Sequence, residues 1–320
     1  MSSLEILMVV GFLFAAYSII ANDSIQTLGT FIASNANRPW WVLWAFSGSV
    51  LVAVVVYGWL ANGGDPAYGR LEKFPEPAGG IQWYHVVPPF AILILTRFGV
   101  PVSTTFLVLS VFAPKNIDSM LVKSGMGYLL AFVVAIAVYR FVLHKTTAYF
   151  IRTQKEAVSL QWVALQWLST AFLWSQWLVQ DLANIFVYLP REITTVHLLL
   201  ALVFLVGLQG FTFFNMGGAI QKIVNSKTGT SDIRAATIVD FLYGLILLVF
   251  KEWSNMPMST TWVFLGLLAG RQFAISAFLS EPPMRETRRI VLFDALKALI
   301  GLLISVVLAL GLPFLAKQLS

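Results

Sequence analysis

The chain has 320 residues, 58% of them hydrophobic and only 11% charged, with a mean hydropathy of +0.80 and a formal net charge of +6. Soluble domains carry about 25% charged residues, so the composition excludes one, and the basic excess reads as charge in cytoplasmic loops rather than as a nucleic-acid surface. The absence of cysteine excludes disulfides, thiolate zinc sites, iron–sulfur clusters and covalent haem attachment.

A bilayer crossing takes about 20 residues, and residues 40–60, 157–180, 193–221 and 298–316 contain no Asp, Glu, Lys or Arg. The expected class is an all-α polytopic membrane protein. The first apolar run begins at Leu4 and has Glu5 where a signal peptide would be basic, so it reads as a retained membrane segment. Residues 4–34 and 40–60 each predict one crossing. Loop 61–82, rich in Gly and Pro, carries Arg70 and Lys73 against Asp65, Glu72 and Glu76, a net −1. Segment 83–114 predicts a re-entrant pair of half-helices, and 120–139 a further crossing.

A basic connector follows at 144–159. Arg140, Lys145, Arg152 and Lys155 against Glu156 give this region +3, which places it in the cytoplasm.

Beyond the connector the chain repeats itself. Pro101-Val102-Ser103-Thr104-Thr105 recurs 156 positions later as Pro257-Met258-Ser259-Thr260-Thr261, and Lys115 recurs as Arg271 at the same offset. Asn22-Asp23-Ser24-Ile25-Gln26 is echoed 158 positions later by Gln180-Asp181-Leu182-Ala183-Asn184. Such long-period similarity indicates duplication, with units at 1–143 and 160–320. The loop equivalent to 61–82, residues 219–234, carries Lys222, Lys227 and Arg234 against Asp232, a net +2. Equivalent loops of opposite charge bias place the two units in inverted topology. Three crossings in the first unit agree with this, and both termini are expected outside a bacterial-type plasma (inner) membrane.

The chemistry is expected where the apolar segments break. Proline disfavours helix before it and suits the first turn after it, and Ser and Thr are good N-caps. Two half-helices should therefore start near Ser103 and Ser259 with free N–H groups at bilayer depth, ends that favour anions. Discontinuous helices at matching places in inverted repeats point to a transport site. Ser103, Thr104, Thr105, Ser259, Thr260 and Thr261 are accordingly the candidate anion ligands.

Asp23 and Asp181 end or interrupt apolar runs, and a carboxylate at that depth is a functional candidate by default. With Asn22, Gln26, Gln180 and Asn184 they offer the hard oxygen environment of Na⁺ or a titrating proton. No other cofactor is expected. Asp240, in an apolar run without a repeat partner, either joins this site or pairs with Lys251. Arg97 either meets an anion or reaches toward the headgroups, the second being the preferred reading. His85, His144 and His197 lack metal-ligand spacing, and the eleven Trp residues read mainly as interfacial anchors.

These residues resemble the inorganic phosphate transporter family. The resemblance rests on Asn22-Asp23 with Gly29-Thr30 and Ser34, on Asp181-Leu182-Ala183-Asn184 with Pro190, on both Ser-Thr-Thr motifs, and on residues 218–224. It spans nearly the whole chain. It implies a secondary transporter with inverted repeats and paired re-entrant helices, in which phosphate lies between the Ser-Thr-Thr segments, Na⁺ or H⁺ is held near the Asn-Asp motifs, and Asn22, Asp23, Asp181 and Asn184 serve the coupling ion or the substrate. Family members follow Ser-Thr-Thr with His, whereas Phe106 and Trp262 stand there in this chain, so sulfate is the alternative oxyanion. A channel is a second alternative, because half-helices and carboxylates also build pores. An enzyme is not expected: Asp23 and Asp181 have no second Asp within four residues to build a two-metal site. The partners expected are the oxyanion and membrane lipid, with a homo-oligomer compatible with the sequence.

Overall fold

The computed structural model describes residues 3–97, 102–153, 158–217, 221, 232–253, 257–279 and 283–319. Gly99 to Pro101, Lys155, Glu156, Gly218 to Ile220, Lys222 and Lys227 lie outside the described residues, as do the side chains of Asn22, Arg97 and His144.

The described chain is helical throughout its regular structure. The helices are α1 (Ser3–Ser34), α2 (Trp40–Ala61), α3 (Trp83–Arg97), α4 (Thr104–Phe112), α5 (Ile117–Ala137), α6 (His144–Arg152), α7 (Leu160–Phe186), α8 (Thr195–Phe214), α9 (Ile233–Trp253), α10 (Thr260–Leu279) and α11 (Met284–Leu319). Seven of these, α1, α2, α5, α8, α9, α10 and α11, are long and apolar enough to cross a membrane. The long apolar side chains of α8, including Val196, Leu199, Leu200 and Val203, face outward while Asp23, Asp181 and Asp240 lie buried inside. That inside-out distribution belongs to a multi-pass membrane protein. At 27 residues α7 is also long enough, at 1.5 Å per residue, to span about 40 Å. It is less apolar than the seven, and its polar face of Gln166, Gln180, Asp181 and Asn184 is buried in the bundle.

Helix pairing follows the duplication seen in the sequence. The first helix of each unit packs on the helix before the motif, α1 on α3 and α7 on α9, while the motif helices exchange partners: α4 packs on α11, and α10 on α5. The α5–α10 contact is backbone-close. A Cβ added at Gly266 would sit 2.3 Å from the Tyr128 carbonyl oxygen, and one at Gly270 2.2 Å from that of Phe132. Small residues permit this approach, and dispersion plus weak backbone contacts hold it in lipid. Between the units, α2 lies against α8, with Trp44 donating to the Val206 carbonyl at 3.0 Å and Trp59 to that of Ile193 at 2.8 Å.

Loop 61–82 lies over one face of the bundle. Asn116, just before α5, donates to the Lys73 carbonyl at 2.7 Å, and Arg191, between α7 and α8, donates to that of Phe74 at 2.5 Å. Burial lowers the pKa of Arg191, while Glu76 and Asp65 oppose the shift. The basic connector meets the start of α9 instead, where Arg234 donates to Thr153 Oγ1 at 2.9 Å and to the Phe150 carbonyl at 3.2 Å. The connector and Arg234 thus share one side, as their common positive charge predicts.

One expectation needs correction. The Ser259 segment does not open a short half-helix. α4 has nine residues, ending where Ala113 is extended (φ −145°, ψ 77°) before Pro114, whereas α10 continues for twenty. At the equivalent offset α10 has Ala269-Gly270, and without a proline nothing removes the N–H or clashes with the preceding turn. The tryptophans divide between two places: Trp40, Trp41, Trp44, Trp59, Trp83, Trp162 and Trp253 lie near helix ends, while Trp174 and Trp177 stack at 4.9 Å in the buried core.

Candidate functional site

The two Ser-Thr-Thr segments meet in the middle of the bundle. Ser103 Oγ accepts from the Phe106 N–H, and Ser259 Oγ from the Trp262 N–H, each at 3.3 Å. Each serine thus satisfies one of the four N–H groups a helix start leaves open. Ser124 of α5 takes the Ser259 N–H at 2.8 Å.

The threonines obey a local two-fold rule. Thr104 Oγ1 donates to the Asp23 carboxylate, and its repeat equivalent Thr260 donates to Asp181 Oδ2 at 2.7 Å. Thr105 donates to the Met258 carbonyl at 3.2 Å, and its equivalent Thr261 reaches that of Val102 at 3.5 Å. Each segment therefore reaches the backbone of the other, at the positions the repeat offset relates.

Asparagine 184 joins the halves. Its Nδ2 donates to Asp181 Oδ1 at 2.8 Å and lies 3.3 and 3.2 Å from the hydroxyls of Thr104 and Thr105. Thr105 also contacts Asp181 Oδ1 at 3.2 Å, and Gln26 Nε2 contacts Asp23 Oδ1 at 3.4 Å. Gln180 points its amide nitrogen at the Leu247 carbonyl, 3.1 Å away. All eleven of the described candidate residues are at most 8% exposed. The carboxylates read as serving the coupling ion or the substrate and the Ser-Thr-Thr hydroxyls read as anion ligands form one network.

Two amide oxygens of α7 are unused: Asn184 Oδ1, within this network, and Gln180 Oε1, whose amide nitrogen faces Leu247, are buried without a donor among the described residues. An amide oxygen left this way is costly unless something satisfies it, and the Asn184 oxygen lies on the residue that donates to Asp181. No cluster of three His, Cys, Asp or Glu residues occurs among the described residues. A cation would therefore be held by carboxylate, amide and hydroxyl oxygens. The rings of Phe106 and Trp262 lie 6.3 Å apart, so the aromatic residues after the two motifs face one another.

Asp240 belongs to neither expected arrangement. Lys251 pairs with Glu252 at 3.4 Å, and Asp240 accepts from Thr30 and Thr170, both at 2.6 Å, tying α1, α7 and α9 together. Ser124, Thr170 and Tyr243, whose hydroxyl donates to the Thr260 carbonyl at 2.9 Å, were missed from the sequence. None sits in a repeated motif; the available signal for Thr170 was its place one turn from Gln166 on the polar face of α7.

No protein-family model matches the chain, and no curated protein matches it in sequence. Among solved structures it is similar to one titled "The sodium-dependent phosphate transporter", with a TM-score of 0.62 and 18% identity over the whole of both chains. At that identity the likeness carries the fold: this chain is an all-helical, multi-pass membrane protein with the architecture of a transporter.

Proposed function

We propose that this protein is a secondary active transporter that carries inorganic phosphate together with Na⁺ or H⁺ by alternating access, through two inverted repeats joined by the connector. The observation that carries the reading is the pairwise contact of Thr104 with Asp23 and Thr260 with Asp181. A hydroxyl donating to a carboxylate in the resting site can turn to an arriving oxyanion once a cation takes the carboxylate's charge. Each half of the duplication supplies one such switchable pair. The similar solved structure, by its title a sodium-dependent phosphate transporter, supports Na⁺ as the coupling ion and phosphate as the anion.

The residues of this chain would act as follows. Ser103 and Ser259 hold the starts of α4 and α10, and the hydroxyls of Thr104, Thr105, Thr260 and Thr261 bind the anion. Asp23 and Asp181, with the free oxygens of Asn184 and Gln180, hold the cation. Coupling follows from charge: a divalent oxyanion in a low-dielectric site needs cations to offset its desolvation. The exchanged packing of α4 on α11 and α10 on α5 supports a two-fold arrangement in which one unit rocks against the other.

Phe106 and Trp262 favour a second substrate, sulfate, because apolar rings in place of imidazoles suit an oxyanion that stays fully deprotonated. Purified protein in liposomes, given labelled phosphate or sulfate under an imposed Na⁺ or H⁺ gradient, tests both. Saturable phosphate uptake driven by one gradient is expected. Sulfate uptake alone would reassign the substrate, and absence of gradient-driven uptake of either in folded protein would overturn the transport reading.

A further inference from the structure

Arg70 sits in loop 61–82, between two water-facing stretches, yet is only 2% exposed. The chain places it there by a built turn. Both carboxylate oxygens of Asp65 accept backbone N–H groups, from Ala67 at 2.7 Å and Gly69 at 2.8 Å. Tyr68 and Gly69 then adopt successive left-handed conformations, φ 59° and 69°. Left-handed backbone is uncommon for a bulky residue, and here the Tyr68 hydroxyl holds it by donating to the Val54 carbonyl at 2.6 Å. The turn sends Arg70 inward, where Nη1 is buried without an acceptor among the described residues.

The charges around Arg70 do not provide that acceptor. Asp181 and Glu252 are the acids that face it. Asp181 already takes hydrogen bonds from Thr105, Thr260 and Asn184, and Glu252 is largely exposed and paired with Lys251. Lys123 of α5, itself only 7% exposed, presents a second basic group to Arg70, and the exposed Lys73 presents a third toward Lys123. Burial lowers the pKa of Arg70 to about 10, so it stays charged at neutral pH. Lys123 adjoins Ser124, the residue that takes the N–H of Ser259. The cations therefore run from the loop surface toward the start of α10.

A buried guanidinium costs several kcal/mol unless its charge and its donors are both met. Like-charged neighbours raise that cost, so the arrangement fits an occupant with negative charge and several acceptor oxygens. We propose that Arg70, with Lys123, forms a second oxyanion-binding position on the loop 61–82 side of the Ser-Thr-Thr site, taking the anion before it reaches the threonine hydroxyls or as it leaves them. The proposal rests on the oxyanion reading above and assigns loop 61–82, otherwise a plain connection, a part in substrate recognition. The planar fork of Arg pairs with two oxygens of a tetrahedral anion at once, which Lys cannot do.

Equilibrium binding of labelled inorganic phosphate, and separately of sulfate, to the purified protein in detergent with Na⁺ present tests this. Loss of one charge-assisted contact from Arg70→Gln should raise the Kd about 10- to 100-fold. Arg70→Lys, which keeps the charge and loses the fork, should fall between Arg70→Gln and wild type, and Lys123→Met should raise Kd about 10-fold. A purely structural Arg70 would lower the melting temperature and leave Kd unmoved in whatever protein stays folded. Wild-type Kd in folded Arg70→Gln overturns the proposal. If Arg70→Gln does not fold, wild-type Kd in both Arg70→Lys and Lys123→Met overturns it equally. Folded wild-type protein that binds neither anion fails differently, in the parent and not the variant, and takes the oxyanion reading down with this one.

Discussion

Asp181→Asn separates the charge of the site from its shape. Asp181 Oδ1 receives Asn184 Nδ2 at 2.8 Å and Thr105 at 3.2 Å, while Oδ2 receives Thr260 at 2.7 Å. In the variant the amide NH₂ cannot take the Oδ1 place, because it would meet the donor of Asn184. It takes the Oδ2 place, where the Thr260 hydroxyl can turn and accept. The hydrogen-bond count is then nearly kept, and the folded state should lose no more than about 1 kcal/mol. The charge is gone, however. A unit cation 4 Å from a carboxylate gains about 4 kcal/mol at an effective dielectric of 20, so its loss weakens cation binding by two to three powers of ten, on the order of 100- to 1000-fold. The assay is the Na⁺ or H⁺ concentration that half-saturates phosphate uptake in proteoliposomes, with a melting curve alongside. An unchanged half-saturating cation concentration in folded Asp181→Asn protein refutes the placement of the cation at this carboxylate.

Thr104→Val removes a hydroxyl shared by Asp23 and Asn184; anion affinity should fall about 10-fold with the cation dependence retained, as read from uptake kinetics. Gly270→Ala places a methyl against the Phe132 carbonyl and should destabilise the α5–α10 pair by about 1–3 kcal/mol, seen as a lower melting temperature in detergent. Thr170→Val strips one donor from the fully buried Asp240 and should cost about 1–3 kcal/mol, while Thr170→Ser, which keeps the hydroxyl, should melt near wild type.

Much of the fold was legible, and the residues of the candidate site stood out, because the chain prints two similar sets of motifs. The crossings at 4–34 and 40–60 correspond to α1 and α2, and the break at Pro101 anticipates a helix starting at Thr104 capped by Ser103. Apolar runs in a bilayer leave few choices, since every backbone group must be satisfied within a helix. What stayed hidden depends on three-dimensional approach. Nothing in local sequence says that Thr105 reaches the carbonyl of Met258, 153 positions away, or that the Asn-Asp and Ser-Thr-Thr motifs share hydrogen bonds. Arg70 was hidden for a different reason: in a loop with two basic and three acidic residues it reads as a solvated charge, and only the turn made by Asp65, Tyr68 and Gly69 sends it inward. The length of α10 was misjudged because the motif repeats while Pro114 does not.

That missing proline makes the two halves mechanically unequal. α4 is a nine-residue segment with extended backbone at Ala113, so it can tilt by changing a few torsions at its end. α10 has no such joint, and the contacts at Gly266 and Gly270 seat its backbone against α5 along two turns. Displacing α10 means carrying α5 with it as one slab, and with α5 the serine that holds the Ser259 N–H. Under the proposed alternating access, the jointed α4 and the rigid α5–α10 pair would set unequal barriers to exposing the site from its two sides.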